Sequence, residues 1–396
     1  MTGKHLLRAI LCSIISITLF LGCSSGSEVE KNNTGSNIDE QQNFSLGADI
    51  SWVTELESQG HKFYNSNGIE TECTKLMKEY GMNAIRLRVW VDPSEHGNWC
   101  NKEDLLVKAQ RAHSLGMDIM IDFHYSDWWA DPGQQHKPKS WKNLNLEELH
   151  KAIETHTTDV LLSLKNKGIT PKWVQVGNEI RPGMLWDEKE ELSGASYNVR
   201  ECDVKGSGST STDIKYRMNW KNLADFVNTG YNAVKSVFKD AEVIVHLDNG
   251  YDYDLYKWFF DELKKNGGKW DMIGMSIYPY WTMIEKKDFT ADMVIDKCIT
   301  NINSVTKRYN CNVMIVETGM ECADSNGNLA EDKVLSEGKR LLAKLIQESM
   351  SKTNGMCKGV FYWEPECKPS QYRLGAFTES GRPTEIMDAF KSLTNH

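Results

Sequence analysis

Beyond residue 44 the chain repeats one pattern, a short apolar run followed by a longer amphipathic stretch. The apolar runs fall at 46–51, 84–91, 118–125, 172–179, 242–249, 272–278, 312–318 and 358–365. They are β-branched or aromatic and nearly continuous in hydrophobicity, as strands covered on both faces must be. Between them, Leu105, Leu106, Ala109 and Ala112 recur at helical spacing. So do Leu223, Phe226, Val227, Tyr231 and Val234, and Leu341, Leu342, Leu345 and Ile346. Gly81, Gly116, Gly168 and Gly267 follow helical runs, where a left-handed C-cap is expected. Eight β-then-α units predict an α/β fold of the (β/α)8 barrel type. The doubly wound alternative lacks its phosphate loop, since neither GxGxxG nor GxxxxGK[ST] occurs. The stretch 187–217, rich in Ser, Gly and Thr, fits no element and predicts a loop on the C-terminal side of the fourth strand.

The first 43 residues break the pattern. Lys4 and Arg8 precede an uncharged run of signal-peptide length, too short to span a membrane. It ends in Leu19-Phe20-Leu21-Gly22-Cys23, which resembles a bacterial lipobox with Cys23 as the lipidated residue. The predicted organisation is a lipoprotein signal peptide at 1–22, a flexible tether at 23–43 and a catalytic barrel at 44–396. The expected location is outside the cytoplasm, at a bacterial cell surface or in the periplasm, with the membrane touched only through the lipid.

Composition narrows the chemistry. The 396 residues hold 46 basic and 55 acidic side chains, a formal charge of −9. That balance argues against nucleic acid, whose phosphates need a basic face, and suits a neutral substrate. Thirteen Trp and fourteen Tyr are an excess that suits stacking on bases, other aromatics or the apolar faces of sugars. Eight cysteines follow the leader, and the choice between disulfides and buried thiols stays open.

Barrels carry their chemistry at the C-terminal ends of strands. Two of the predicted strands run straight into a carboxylate, the fourth at Asn178-Glu179 and the seventh at Glu317. They are expected to face each other across the barrel mouth. Glycoside hydrolysis needs one carboxyl protonated and one ionised, about 5 Å apart when configuration is retained. Glu179 is the candidate acid/base and Glu317 the candidate nucleophile. One of Arg86 and Arg88 is expected to point inward and hold Glu317 ionised, with Arg86 favoured.

The same strand ends carry longer motifs: Gly47-Ala48-Asp49-Ile50-Ser51, Arg86-Leu87-Arg88-Val89-Trp90-Val91 and Asp122-Phe123-His124-Tyr125-Ser126-Asp127-Trp128-Trp129. Further on come Gly177-Asn178-Glu179, His246-Leu247-Asp248-Asn249-Gly250, Ser276-Ile277-Tyr278-Pro279-Tyr280-Trp281, Val316-Glu317-Thr318 and Phe361-Tyr362-Trp363-Glu364-Pro365. With them, the chain from Gly47 to about Phe390 resembles the endo-β-1,4-galactanases of glycoside hydrolase family 53, clan A. The resemblance implies a retaining mechanism with acid/base and nucleophile on Glu179 and Glu317, a galactan substrate, and no cofactor for the chemistry.

Asn178 is then expected at the sugar 2-hydroxyl, and Tyr278 beside the nucleophile. His124 and Asp127 are expected at sugar hydroxyls. Asp49, Asp248, Asn249 and Ser276 would line the floor or a subsite, and Asp49 could equally pair with an inward arginine. Trp90, Trp128, Trp129, Trp186, Trp281 and Trp363 are stacking candidates, with Trp363 the floor beneath the sugar next to the scissile bond. Trp128 and Trp129 are neighbours, so only one of them should face the cleft.

Bacterial members of the family often bind calcium after the seventh strand. Here that loop offers Asp324, Asn326 and Asn328, with a simple Asn-Gly turn as the competing account. Disulfides Cys322–Cys367 and Cys311–Cys357 are conceivable braces between the seventh and eighth strands. A monomer is expected. Two alternatives stand beside the galactanase: another clan A β-glycanase of mannanase or cellulase type, and a non-catalytic glycan-binding lipoprotein.

Overall fold

The computed structural model describes residues 44–186 and 219–391. The leader, the tether, Cys23, Cys202 and the 187–217 loop lie outside the described residues. Eight parallel strands close into a barrel in chain order. They are β1 (Ser45–Asp49), β2 (Ala84–Val89), β3 (Asp118–Phe123), β4 (Trp173–Val176), β5 (Glu242–Leu247), β6 (Met272–Ile277), β7 (Asn312–Thr318) and β8 (Cys357–Trp363). The ring is sealed where β1 pairs with β8, Ser45 opposite Gly359 and Asp49 opposite Trp363.

Outside the ring lie α1 (Val53–Ser58), α2 (Cys73–Glu79), α3 (Lys102–Ser114), α4 (Leu146–Asn166) and α5 (Trp220–Val237). They are followed by α6 (Tyr253–Lys265), α7 (Pro279–Glu285), α8 (Ala291–Tyr309), α9 (Asp332–Ser351) and the short α10 (Asp388–Lys391). Local chemistry sets their ends. Asn145 and Glu148 form a reciprocal capping box at the start of α4. Gly116 and Gly168 take φ 65° and 75° just past α3 and α4, as a left-handed stop requires.

All eight predicted strands are present, yet several end one to three residues earlier than the apolar pattern implied. The reason is backbone geometry. Tyr125, Glu179, Asn249 and Glu364 have φ of 50°, 46°, 54° and 48°. A left-handed residue cannot continue a ladder. Four such positions at strand ends are a departure from relaxed geometry that gathers at functional sites.

The interior is stratified. Ala84, Met120, Trp173, Ile244, Met272, Met314, Val316 and Phe361 form a separate apolar plug inside the ring. Gly47 leaves room for it, because a Cβ there would sit 2.4 Å from the Phe361 ring. Above the plug the inward residues turn polar: Arg86, Asp122, Gln175, His246 and Glu317 are all buried. The much larger apolar layer lies between strands and helices.

Cys73, Cys100, Cys298, Cys311, Cys322, Cys357 and Cys367 are free thiols, so neither expected disulfide is formed. The Cys322 thiol points at the Phe377 carbonyl at 3.8 Å, and the Cys357 thiol at the Gly359 carbonyl at 3.6 Å. Among the described residues no helix is long and apolar enough to cross a membrane.

Candidate active site

A cleft of about 570 Å³ opens at the C-terminal end of the barrel. Glu179 and Glu317 both line it, with His124, Asn178, Asp248, Asn249, Tyr278, Trp281 and Trp363 among the expected residues. The two carboxylates are not diametrically opposed, because β5 and β6 separate β4 from β7. They converge along one side of the rim through a common partner. The Ser276 hydroxyl lies 2.6 Å from Glu179 Oε1 and 3.4 Å from Glu317 Oε2. Those oxygens are therefore no farther apart than about 6 Å, short of the spacing that leaves room for an inverting water. An irregularity between Met275 and Ser276 brings Ser276 opposite Glu317 in the ladder, a local re-aiming typical of bulges beside active sites.

The two carboxylates have unequal surroundings. Glu317 Oε1 meets Arg86 Nη2 at 2.8 Å, and Oε2 accepts from the Tyr278 hydroxyl at 3.0 Å. Burial pushes the Glu317 carboxyl up and Arg86 pulls it back, to about 7. Among the described residues Glu179 has no such cation. Burial first, then Glu317 and Asp248, hold its carboxyl well above the ordinary range. The pair titrates as a unit, and the first proton it takes up as pH falls resides on Glu179, the member further raised and without the cation. Burial and then Glu317 keep the Tyr278 phenol un-ionised, hence a donor.

Arg86 organises the layer below. Its guanidinium donates to Asp49 Oδ2 at 2.8 Å, Asp122 Oδ2 at 2.9 Å, Asn178 Oδ1 at 2.9 Å and Gln175 Oε1 at 2.6 Å. Although burial raises the Asp122 carboxyl, Arg86 and His124 bring it below its usual value. His124 Nε2 donates to Asp122 Oδ2 at 2.9 Å, and its Nδ1 accepts from Trp90 Nε1 and the Ala130 amide at 3.2 and 3.1 Å. The imidazole is thus fixed as the Nε2–H tautomer.

The expectation that only one arginine points inward fails. Arg86 and Arg88 are two residues apart, so they share a face of β2, and both are buried. Arg88 pairs with the buried Glu364, whose Oε2 accepts from the Trp52 amide at 3.1 Å. The Arg88 guanidinium lies 4.3 Å from the Trp129 ring centroid, and Trp129 stands 5.8 Å from Trp363. Trp363 in turn meets Tyr372 edge-on at 4.8 Å. A buried ion pair thereby props the aromatic wall of the cleft.

Other expected contacts lie elsewhere. Asp49, Arg86 and Ser276 are beneath the cleft rather than on its surface. Asp127 accepts from the Asp92 and Lys139 amides at 3.0 and 2.7 Å, which ties two loops and leaves it off the cleft lining. Of the neighbouring tryptophans, Trp129 lines the cleft. Trp128 stacks on His96 with centroids 3.6 Å apart. Trp186 is buried, its indole donating to the Pro182 carbonyl at 3.0 Å. Asp324, Asn326 and Asn328 do come together, but as a turn. Asp324 Oδ1 accepts from the Asn326 and Asn328 amides at 2.8 and 2.9 Å. With its single carboxylate so engaged, the trio fits a turn rather than calcium, which takes six to eight oxygens. Among the described residues no three His, Cys, Asp or Glu side chains gather as a metal site.

Sequence reasoning missed Asp122, Gln175, His246, Asp131 and Tyr372. For the first three a signal existed: each is a lone polar residue inside an otherwise apolar strand, which only an inward polar layer explains.

Known proteins resemble the chain over this same span. It is 35% identical to an uncharacterised protein of Niallia circulans, covering 84% of this chain and 86% of that protein. It is 28% identical to the arabinogalactan endo-β-1,4-galactanase of Thermothelomyces thermophilus, covering 88% and 98%. A fungal β-1,4-galactanase of known structure superposes with a TM-score of 0.70 at 25% identity, covering 88% and 99%. The family description "Glycosyl hydrolase family 53" matches residues 45–392, and with the barrel and the paired carboxylates in place, the chain belongs to that family.

Proposed function

We propose that the protein is an endo-acting, retaining β-1,4-galactanase that cuts galactan and type I arabinogalactan, with Glu179 as acid/base and Glu317 as nucleophile. One observation carries the reading: a half-buried and a buried carboxylate meet on one serine hydroxyl, and among the described residues only Glu317 has a cation. In the first step Glu179 gives its proton to the glycosidic oxygen while a Glu317 oxygen attacks the anomeric carbon. The bond to the leaving oligosaccharide breaks and a galactosyl ester forms on Glu317. Glu179, now ionised, takes a proton from water, the water oxygen attacks the same carbon, and Glu317 departs. Two inversions retain the β configuration.

The surrounding residues support a neutral sugar. Asn178 Nδ2 gives one hydrogen to the Ala130 carbonyl at 2.7 Å, and its second is available to the 2-hydroxyl. Trp363 and Trp129 present aromatic area to an apolar sugar face. Trp281 and Ile284 extend the lining outward, 42% and 44% exposed, which suits a polymer entering along a groove. Export and lipid anchoring at Cys23 belong to the same reading, because galactan is too large to enter a cell; mass analysis of the mature N-terminus tests them.

A timed digest of linear galactan beside mannan and cellulose tests the substrate. Galacto-oligosaccharides of graded length are expected early. Cleavage of mannan or cellulose alone refutes the substrate, and galactose as sole early product refutes endo action. Glu179→Gln is expected to lose at least about 100-fold on galactan yet retain turnover of an aryl galactoside with an activated leaving group. Glu317→Gln should lose both.

A further inference from the structure

His246 sits beneath Glu179 and has no part in the steps above. It is fully buried, as is nearly all of Ser276. Its Nε2 lies 2.8 Å from Ser276 Oγ, which lies 2.6 Å from Glu179 Oε1. Its Nδ1 faces two opposed kinds of partner, and the Glu179 amide, a donor at 3.4 Å, adds to the second kind. Asn178 Oδ1, an acceptor, is at 2.9 Å, and Gln175 Nε2, a donor, is at 3.0 Å. Neither amide can be flipped to relieve the conflict. Arg86 donates to both Asn178 Oδ1 and Gln175 Oε1, and Asn178 Nδ2 donates to the Ala130 carbonyl.

A neutral imidazole satisfies only one of these partners at a time. Burial, and then Arg86, keep His246 neutral. With the hydrogen on Nδ1, donated to Asn178, Nε2 must accept from Ser276. The Ser276 oxygen then faces Glu179 as an acceptor, which requires a protonated carboxyl. With the hydrogen on Nε2, Nδ1 accepts from Gln175, Nε2–H donates to Ser276, and Ser276 donates to an ionised Glu179. Every bond along the His246–Ser276–Glu179 chain reverses; the first arrangement leaves the Gln175 amide and the Glu179 N–H without their acceptor, and the second leaves Asn178 Oδ1 to Arg86 alone.

We propose that His246, acting through Ser276, is a two-state positioning device whose tautomer follows the protonation of Glu179. It supplies a matched hydrogen-bond partner to the acid before it gives up its proton and to the base afterwards. The inference rests on the acid/base assignment of Glu179. Arg86, Asp122 and His124 are the charged or titratable groups facing His246, and Glu317, Asp248 and Asp131 those facing Glu179. Tyr256 and Tyr278 also adjoin Glu179, and burial holds both phenols un-ionised.

The test is ¹⁵N NMR of the full protein labelled at histidine, with His246 assigned by difference from His246→Asn. Across the descending limb of the pH–rate profile, the Nδ1 and Nε2 resonances are expected to exchange protonated for unprotonated positions without passing through imidazolium. In Glu179→Ala the tautomer should become independent of pH. Ser276→Ala should uncouple the tautomer and move the descending limb up by about one pH unit. It removes a charge-assisted bond from the ionised acid and a weaker neutral one from the protonated acid. KM should stay within a few-fold. A His246 tautomer that is constant through Glu179's titration, or that still follows it in Ser276→Ala, overturns the proposal. Failure of the wild type to cut galactan overturns the functional reading instead, and the NMR titration is scored without reference to it.

Discussion

Replacing Arg86 by methionine isolates what the buried cation does. Methionine keeps much of the length and removes the charge. In the native protein Arg86 Nη2 lies 2.8 Å from Glu317 Oε1, and the guanidinium also serves Asp49 and Asp122. Unit charges about 4 Å apart attract by about 4 kcal/mol at an effective dielectric of about 20, or about three pKa units. Part of that is returned, because Asp49 and Asp122 lose the same partner and one of them takes up a proton, which relieves repulsion on Glu317. A rise of about two units remains. Glu317 starts at about 7, held there by burial against the pull of Arg86. The nucleophile acts ionised, so raising its pKa moves the ascending limb of kcat/KM upward by about two pH units. At neutral pH the ionised fraction falls about 50-fold. Losing one partner of a buried charge cluster also costs about 3–5 kcal/mol of stability, so rates must be taken well below the variant's melting point. Arg86→Lys retains charge without the five-donor fork and should recover the limb position but not the full rate. The assay is kcat/KM against pH on galactan, with circular dichroism as the check on folding. A folded Arg86→Met whose ascending limb coincides with wild type would refute the electrostatic account of the nucleophile.

The aromatic wall and the buried acids yield further tests. Trp363→Ala should lose about 2 kcal/mol of transition-state binding, about 30-fold in kcat/KM, whereas Trp128→Ala should stay within a few-fold on short substrates. Equal losses would mean that the cleft runs past His96. Glu366 is fully buried, and burial followed by Glu364 holds its carboxyl well above the ordinary value. A carboxyl raised in the folded state contributes most at low pH and loses that contribution as pH climbs through its folded value. Glu366→Gln, which mimics the protonated form, should therefore lose less thermal stability than wild type between mildly acid and alkaline pH, as read by melting curves.

The barrel and its two glutamates were legible because both follow from strand pattern. An apolar run covered on two faces is hard to hide, and although a single strand-end carboxylate such as Glu364 serves an ion pair, two on strands of one rim point to chemistry. What eluded the sequence depends on rotation about the strand and on loop paths. The sequence offered Trp128 and Trp129 as equals, and only the fold decides that Trp129 lines the cleft. Trp129 turns inward over Arg88 while Trp128 lies on His96. Asp127 and Trp186 carry the right chemistry, but their hydrogen-bond partners are amides and carbonyls of distant loops. Arg88 was discounted by an error of period, since residues two apart in a strand lie on one face.

The polar layer explains why this barrel accepts buried charge where apolar filling is the rule. Arg86 alone would be costly, and so would Asp49, Asp122 and Glu317. Together they leave an excess of negative charge, which the site answers in two ways. Glu317 lies against the cation as an ion pair, and Glu179, which has no ion pair among the described residues, takes a proton. The asymmetry that glycosidic cleavage requires thus follows from one guanidinium serving three of four acids. A second cation placed beside Glu179, as in Ser276→Lys, should ionise it and abolish acid catalysis on galactan. Turnover of an aryl galactoside whose leaving group needs no proton should persist. If both activities vanish equally in a folded variant, the division of labour between the two carboxylates is not set by the cation.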